Sequence, residues 1–428
     1  FLFFKDFESS GSRGLFRKFA MSSSAVSSDP ESSDPESSDS EVSDPESSDP
    51  DWDSFSEDEW DYVDDIRESP MTPGNRARDA LKANSHIHAL LAERERGGGP
   101  HTPPQAINRR LASLFIPEYP HLQSDHHDRG YVGKFTQSGA MYASAWQGSR
   151  VIALYETVLV GANEHMRLAK TIHCRTIQWT VCDMAITSDQ RFVAYSTIAP
   201  IIHLASVGDL TSDAPTTSVA NVTDIHETFH LREEDVEYGE GVWAVRWSGQ
   251  DDMILAGTSA GCYLYDVRCN KVSRRFVGHH QDDVNAVCYG DESGNVFYSG
   301  SDDSIILAYD VRAKKPVGGF VGHVAGLTYL DMAEGRWLLS NSKDQSAKLW
   351  DVRASMVPFA EAKKDRSSGD VRRLGFDYRW QAPRRLPGHP RDKSVTTYRG
   401  HAVLQTLIRA KFSPDYTNHA YVYSGSAC

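Results

Sequence analysis

The chain has 428 residues, a formal net charge of −14, 39% hydrophobic residues and six cysteines. That length allows a large core, and no apolar run nears the roughly 20 residues that a bilayer span requires. The acid is concentrated in residues 21–70, which hold eighteen carboxylates and one basic residue, Arg67; the rest is close to neutral, so no broad field for nucleic acid or a membrane surface is implied.

Taken in order, Phe1-Leu2-Phe3-Phe4-Lys5 is too short and too soon charged for a signal peptide. Met21 opens MSSSAVSSDP and is the more natural start, so residues 1–20 read as leader or fragment sequence. Ser-Asp-Pro-Glu-Ser then recurs from Ser28, Ser33 and Ser43. With regular prolines and almost nothing apolar, this stretch cannot offset its chain entropy, and residues 1–75 are expected to form a disordered acidic tail. The Ser28/Glu31, Ser33/Glu36 and Ser43/Glu46 pairs suit an acidophilic kinase. Residues 51–66 add aromatics to the acid, which fits either a solvated tail or a short motif for a basic partner.

Residues 76–128 are expected to be a helical and linker segment. Ala80, Leu81, His88, Leu90 and Leu91 fall at loosely helical spacing, and Gly97-Gly98-Gly99-Pro100 ends the helix. A second apolar run covers 107–116. Asp125-His126-His127-Asp128 reads as a solvated polar cluster rather than a metal site.

From residue 129 onward the pattern becomes short β-branched and aromatic runs separated by turns. Units fall at 133–156, 177–207, 241–268, two within 278–353, and 398–428. The two central units repeat closely. The step from His280 to His323 is 43 residues and from Asp310 to Asp351 it is 41. A period in the forties, opened by Gly-His and closed by Trp-Asp, is the signature of the WD repeat, one four-stranded blade of a β-propeller. The expected fold is therefore all-β, a WD-repeat propeller over 129–428, seven-bladed in the parent protein and truncated here in the sixth blade, with an open edge. Insertions at 211–240 and 354–397 break the period. The second contains Tyr378, Arg379 and Trp380, a composition that suits a partner-binding loop.

His280, Ser301 and Asp303, and again His323, Ser342 and Asp344, resemble a hydrolase triad by composition. No nucleophile elbow accompanies them. In a WD repeat the histidine, a strand serine, the turn aspartate and the tryptophan tie the blade's loops together. His280, Ser301, Asp303, His323, Ser342, Asp344, Trp350 and His401 are therefore read as structural ties, with no catalytic residue, metal or cofactor. The third blade lacks a Gly-His and carries Ala260 near the expected turn aspartate, so packing alone should hold it. The cysteines form no C-x-x-C pair and read as buried, reduced thiols of an intracellular protein of the nucleus or cytoplasm.

Three units end in an aromatic followed by Asp-Val-Arg, giving Asp266/Arg268, Asp310/Arg312 and Asp351/Arg353. The arginine lies past the third strand, where blade packing does not require it, and should line one rim. WD-repeat proteins with Trp-Asp-x-Arg in adjacent blades resemble the substrate receptors of cullin-four RING ubiquitin ligases. DDVNAV (282–287), GHVAGLTYLD (322–331), LLSNSKDQSAKLWDVR (338–353), DYRW (377–380) and TYRGHAVLQTLIRAKFSP (397–414) look like the adaptor-associated factor 11 family, which includes the plant LEC14B-type proteins. The similarity covers roughly 105–428. It implies a non-enzymatic receptor whose partners are the damaged-DNA-binding adaptor and a protein substrate, with no direct nucleic acid and no membrane. In that family the arginine helps dock the adaptor, which assigns the role to Asp310, Arg312, Asp351 and Arg353, and with less support to Asp266 and Arg268. Tyr309 departs from the usual tryptophan. The alternative is a generic WD-repeat scaffold of another nuclear complex.

Overall fold

A computed structural model describes residues 129–207, 226–231, 241–365, 377–380 and 386–427, apart from a few short interruptions, together with the strand β1 (Leu2–Lys5). The acidic repeat, the helical and linker segment and the cluster at 125–128 lie outside the described residues.

The described fold is all-β. The first sheet joins β2 (Gly130–Phe135), β3 (Met141–Trp146), β4 (Val151–Val160) and β5 (Asn163–His173). The second joins β6 (Asp183–Ile186), β7 (Phe192–Ser196), β8 (Ile201–Ser206) and β9 (His226–His230). The third joins β10 (Val242–Trp247), β11 (Met253–Thr258), β12 (Gly261–Asp266) and β13 (Lys271–Val277). The fourth joins β14 (Ala286–Tyr289), β15 (Val296–Gly300), β16 (Ile306–Asp310) and β17 (Gly318–Phe320). The fifth begins with β18 (Leu327–Ala333), β19 (Trp337–Ser342) and β20 (Ser346–Asp351). Within these five sheets the strands so far named pair antiparallel in chain order, most of them across short turns.

Burial explains why these sheets become blades. Ser346–Asp351 is buried at every position, as a strand covered on both faces must be. The apolar residues gather between consecutive sheets. Leu255, Cys262 and Phe276 of the third pack with Phe297, Leu307 and Tyr309 of the fourth. Tyr298 and Phe320 of the fourth pack with Leu338 and Trp350 of the fifth. Similar clusters join the first to the second and the second to the third. This face-to-face succession is the β-propeller arrangement. At Gly257 a Cβ would lie 2.7 Å from the Val284 carbonyl, so glycine permits the third and fourth blades to approach this closely.

The insertions proved partly structural. Within 211–240, His226–His230 is the outer strand of the second blade; Phe229 and Leu231 are buried while Thr228 and His230 are exposed, a period of two that the polar flanks disguise. Within 354–397, β21 (Val357–Pro358) adds a fifth strand to the fourth blade and a short helix α1 (Phe359–Ala362) follows. The end of the same stretch starts β22 (Thr396–Arg399), which completes the fifth blade. In the sixth sheet β23 (Ala410–Phe412) pairs with β24 (Tyr421–Ser424), whose other edge pairs with β1. The β24 edge is therefore occupied by Leu2–Lys5, whose apolar run differs from the acidic repeat that follows.

Candidate docking surfaces

Strand direction sorts the candidate residues onto two ends. In the fourth blade β16 finishes at Asp310, opposite Val296, beside the turn joining β14 to β15. The turn at 301–305 lies at the other end, where Gly300 pairs with Ala286. Asp266, paired with Met253, and Asp351, paired with Trp337, finish at the same end as Asp310.

At that first end, Arg312 donates from Nε to Asp310 Oδ1 at 2.9 Å and from Nη2 to Oδ2 at 2.6 Å, yet 75% of its side chain stays exposed. Its backbone N–H also caps Asp310. Arg353 repeats the backbone contact to Asp351, but the second carboxylate oxygen of Asp351 is taken by Arg336 at 2.7 Å. Arg353 is exposed, and its guanidinium makes no hydrogen bond or ion pair among the described residues. Arg268 is 74% exposed and 3.9 Å from Asp252, while Asp266 accepts from the Cys269 N–H. Three exposed guanidiniums thus stand at one end of three consecutive blades.

The opposite end holds the ties. His323 donates from Nδ1 to Asp344 at 2.9 Å, its Nε2 accepts from Ser340 Oγ at 2.7 Å, and the Trp350 indole N–H donates to the same Ser340 oxygen at 2.8 Å. Burial works to raise the Asp344 carboxyl, but the His323 ring and the Ser346 hydroxyl outweigh it and hold the pKa at about 2. In the fourth blade His280 bonds Asp303 at 3.0 Å and Ser299 at 2.6 Å. Tyr309 takes the tryptophan's place and stacks on Phe297 with centroids 4.6 Å apart. The serine in each relay is thus Ser340 or Ser299, inside the strand. Ser342 and Ser301, two residues later, instead donate to the Ala325 and Asp282 carbonyls and accept from the Asp344 and Asp303 N–H groups. The period-two alternation of a strand puts both members of each serine pair on one face, so sequence spacing could not separate them. His401 reaches sideways, 2.8 Å from Asn341 Oδ1 of the fifth blade.

Near these ties lies a cavity of about 540 Å³. Aromatic walls come from Tyr131, Trp179, Trp243 and Tyr378, and acid from Asp282, Asp283, Asp302 and Asp377. Tyr378 sits 4.2 Å from the Lys343 ammonium, in the turn between β19 and β20, which places the 377–380 turn at this end, away from the rim arginines. Asp377 and Arg379 form a bidentate pair like that of Asp310 and Arg312, and Trp380 is 80% exposed.

A cluster that sequence reasoning missed crosses the molecule's centre. Asp183 on β6 accepts from Arg246 on β10 and, at 2.6 Å, from Arg409 just before β23. The Val245 N–H donates to the same carboxylate at 3.0 Å. Both guanidiniums lie over the Tyr329 ring, at 5.0 and 5.2 Å. Burial works to raise the Asp183 carboxyl, but Arg246, Arg409 and Lys134 outweigh it and hold it well below the usual carboxylate range. Burial, aided by the Arg246 charge, pushes the Lys134 ammonium well below its usual value. The third blade is therefore not held by packing alone. Arg246 anchors it to the second, and Thr258 closes its turn by donating to the Gly261 carbonyl and accepting from the Ala260 N–H. The available signal was a charge inside each inner apolar strand, Asp183 beside Met184 and Arg246 beside Val245; nothing in the spacing pairs residues 226 positions apart.

Five cysteines among the described residues are free thiols. Cys182, Cys262 and Cys288 are buried, and burial pushes Cys262 up to about 12; Cys269 is exposed. No described helix is long and apolar enough to cross a membrane.

Comparison with known proteins gives three kinds of match. The family described as WD domain, G-beta repeat matches residues 270–310 and 314–351. The LEC14B protein of Lithospermum erythrorhizon is 38% identical over 310 residues, covering 70% of this chain and 62% of that protein. The DDB1- and CUL4-associated factor 11 homolog of Caenorhabditis elegans is 33% identical over 314 residues, covering 70% of this chain and 52% of that protein. Its Caenorhabditis briggsae counterpart is 30% identical over 361 residues, 82% of this chain and 63% of that protein. The chain thus spans less than two thirds of the length of these relatives.

Proposed function

We propose, for a chain that carries WD40 repeats and is homologous to the LEC14B and DDB1- and CUL4-associated factor 11 proteins, that it is the substrate-recognition subunit of a cullin-RING ubiquitin ligase. The propeller at 129–428 docks on a DDB1-type adaptor and presents a protein substrate. The observation that carries the reading is the rim geometry. Arg268, Arg312 and Arg353 stand exposed at one end of three successive blades, and the N–H of Arg312 and of Arg353 is fixed by the aspartate that ends its strand. Exposed guanidiniums on a rigid β-scaffold suit bidentate contact with carboxylates or carbonyls of a partner. Asp310 and Asp351 set the backbone of their turns, so their part is positioning.

The reading is non-catalytic. Both ring nitrogens of His280 and His323 are engaged, and the Ser340 hydroxyl is buried between His323 and Trp350. Each of these groups closes a blade, so the transfer chemistry belongs to the partner enzymes. The proposed setting is the nucleus or cytoplasm. Co-purification of the adaptor with the full chain tests the reading. Arg312→Ala with Arg353→Ala should lower adaptor recovery sharply at an unchanged melting temperature. Retention of the adaptor by that variant would favour a WD-repeat scaffold of some other assembly.

A further inference from the structure

The cavity at the end opposite the rim arginines combines two features that single residues of this kind do not. Its aromatic wall is built from two blades and two loops, with Tyr131 and Trp179 edge to face at 5.3 Å and Trp243 fixed by an indole N–H bond to Ser259 at 3.1 Å. Trp179 remains 38% exposed, so a face is open to an incoming group. The acidic floor is only partly neutralised. Lys343 serves Asp302 at 2.7 Å, and Arg379 serves Asp377 at 2.7 Å. Neither Asp282 nor Asp283 is in ion-pair contact with a cation among the described residues, although the Lys343 charge also reaches Asp283, and the two carboxylates and that of Asp302 come within 4.8 Å of one another. Burial, reinforced by the charges of Asp282 and Asp283, raises the Asp302 carboxyl even with Lys343 beside it. The floor thus carries two carboxylates in excess of its cations.

Two charges of one sign in a concave, partly desolvated site attract the opposite charge strongly. Aromatic faces beside carboxylates favour an organic cation over a hydrated metal ion, since the ring quadrupole and the apolar stem of the side chain add to the ion pair. The protein's own Lys343 already supplies such a cation to Asp302, and its ammonium is 4.2 Å from the Tyr378 ring; Asp282 and Asp283, which form no ion pair with it, are the place for a second.

We infer that this cavity is a recognition pocket for a lysine or arginine side chain presented by an extended segment of a substrate protein, with Asp282 and Asp283 pairing the cation and Trp179 and Trp243 flanking its stem. The inference rests on the receptor reading for its biological meaning, but its chemistry does not. The pocket lies at the end away from Arg312 and Arg353, so substrate and adaptor would be held on opposite ends of the propeller.

The test is selection of a randomised display library of octapeptides on the immobilised full chain, on Asp282→Lys with Asp283→Lys, and on the milder Asp282→Asn with Asp283→Asn. Melting temperature and adaptor recovery are measured on all three proteins. The wild-type chain should enrich sequences with lysine or arginine at one position. The asparagine variant should bind the selected peptides about tenfold more weakly, the loss of two partly exposed ion pairs. The lysine variant should enrich glutamate or aspartate instead. Adaptor recovery should be the same for all three. No enrichment, enrichment of uncharged or acidic sequences by the wild type, or the same basic sequences from the lysine variant would overturn the inference. Loss of adaptor binding by the rim variant with basic-peptide binding retained supports both; retained adaptor binding there would sink the receptor reading and leave the pocket standing.

Discussion

His323 shows how one side chain holds a blade. Its ring joins the loop before β18 to the turn after β19 and, through Ser340, to Trp350, and all four groups are buried. Removing one member leaves the others unsatisfied, which costs more than the bond itself. His323→Ala should therefore lower the unfolding free energy by about 3 kcal/mol, measured by chemical denaturation. His280→Ala should behave similarly in the fourth blade, where Tyr309 contributes stacking instead of an indole N–H. Two pH windows follow. The Asp344 carboxyl is depressed to about 2 in the folded chain, so its stabilisation is full above the ordinary carboxylate range and is lost as pH falls toward 2. Asp344→Asn should remove that part of the acid transition, worth roughly 2 kcal/mol. Burial depresses His401 from 6.5 to about 4, so the fold prefers the neutral ring. Here too stability falls with pH, but between about 6.5 and 4, by on the order of 3 kcal/mol at most. A His401→Gln variant should melt at a temperature that changes less across that window than the wild type does.

At the scale of elements, blades join in two ways, by apolar faces and by charge across the axis. Gly257 lets β11 lie against β14, and a methyl group there would meet the Val284 carbonyl at 2.7 Å and the Val287 side chain at 3.0 Å. Gly257→Ala should cost about 2 kcal/mol in thermal or chemical melts, an overpacking cost between two blades. Asp183 binds elements from the second, third and sixth blades. Asp183→Ala would strand two buried guanidiniums, and a loss of about 4 kcal/mol is expected. A loss near that of an ordinary surface aspartate would show that water in the axis replaces the carboxylate. The repeat units, their turns and the rim arginines were legible because they are local: strand alternation, a period of 41 or 43 and a motif of four residues. The axis cluster was not, because Asp183 and Arg409 meet only after the three intervening sheets have formed. The serine of the relay was misplaced by two residues because both positions share a strand face. The outer strand at His226–His230 was hidden because only Phe229 of its inward positions is a large apolar residue.

The molecule as a whole presents two chemically different ends. One carries exposed arginines at the finish of three third strands; the other carries the blade ties and an acidic, aromatic cavity. This polarity suits a protein that must touch two others without bringing them to one patch. A guanidinium rim also predicts that adaptor association weakens with salt, since exposed charge is screened over about 8–10 Å at physiological ionic strength. The central claim is that the rim arginines dock the adaptor. It is tested most directly by titrating purified DDB1-type adaptor against the full chain and against the Arg312→Ala, Arg353→Ala double variant. The account predicts at least a tenfold weaker dissociation constant for the variant, with melting temperature and basic-peptide selection unchanged. Equal affinity of the two proteins for the adaptor would contradict it.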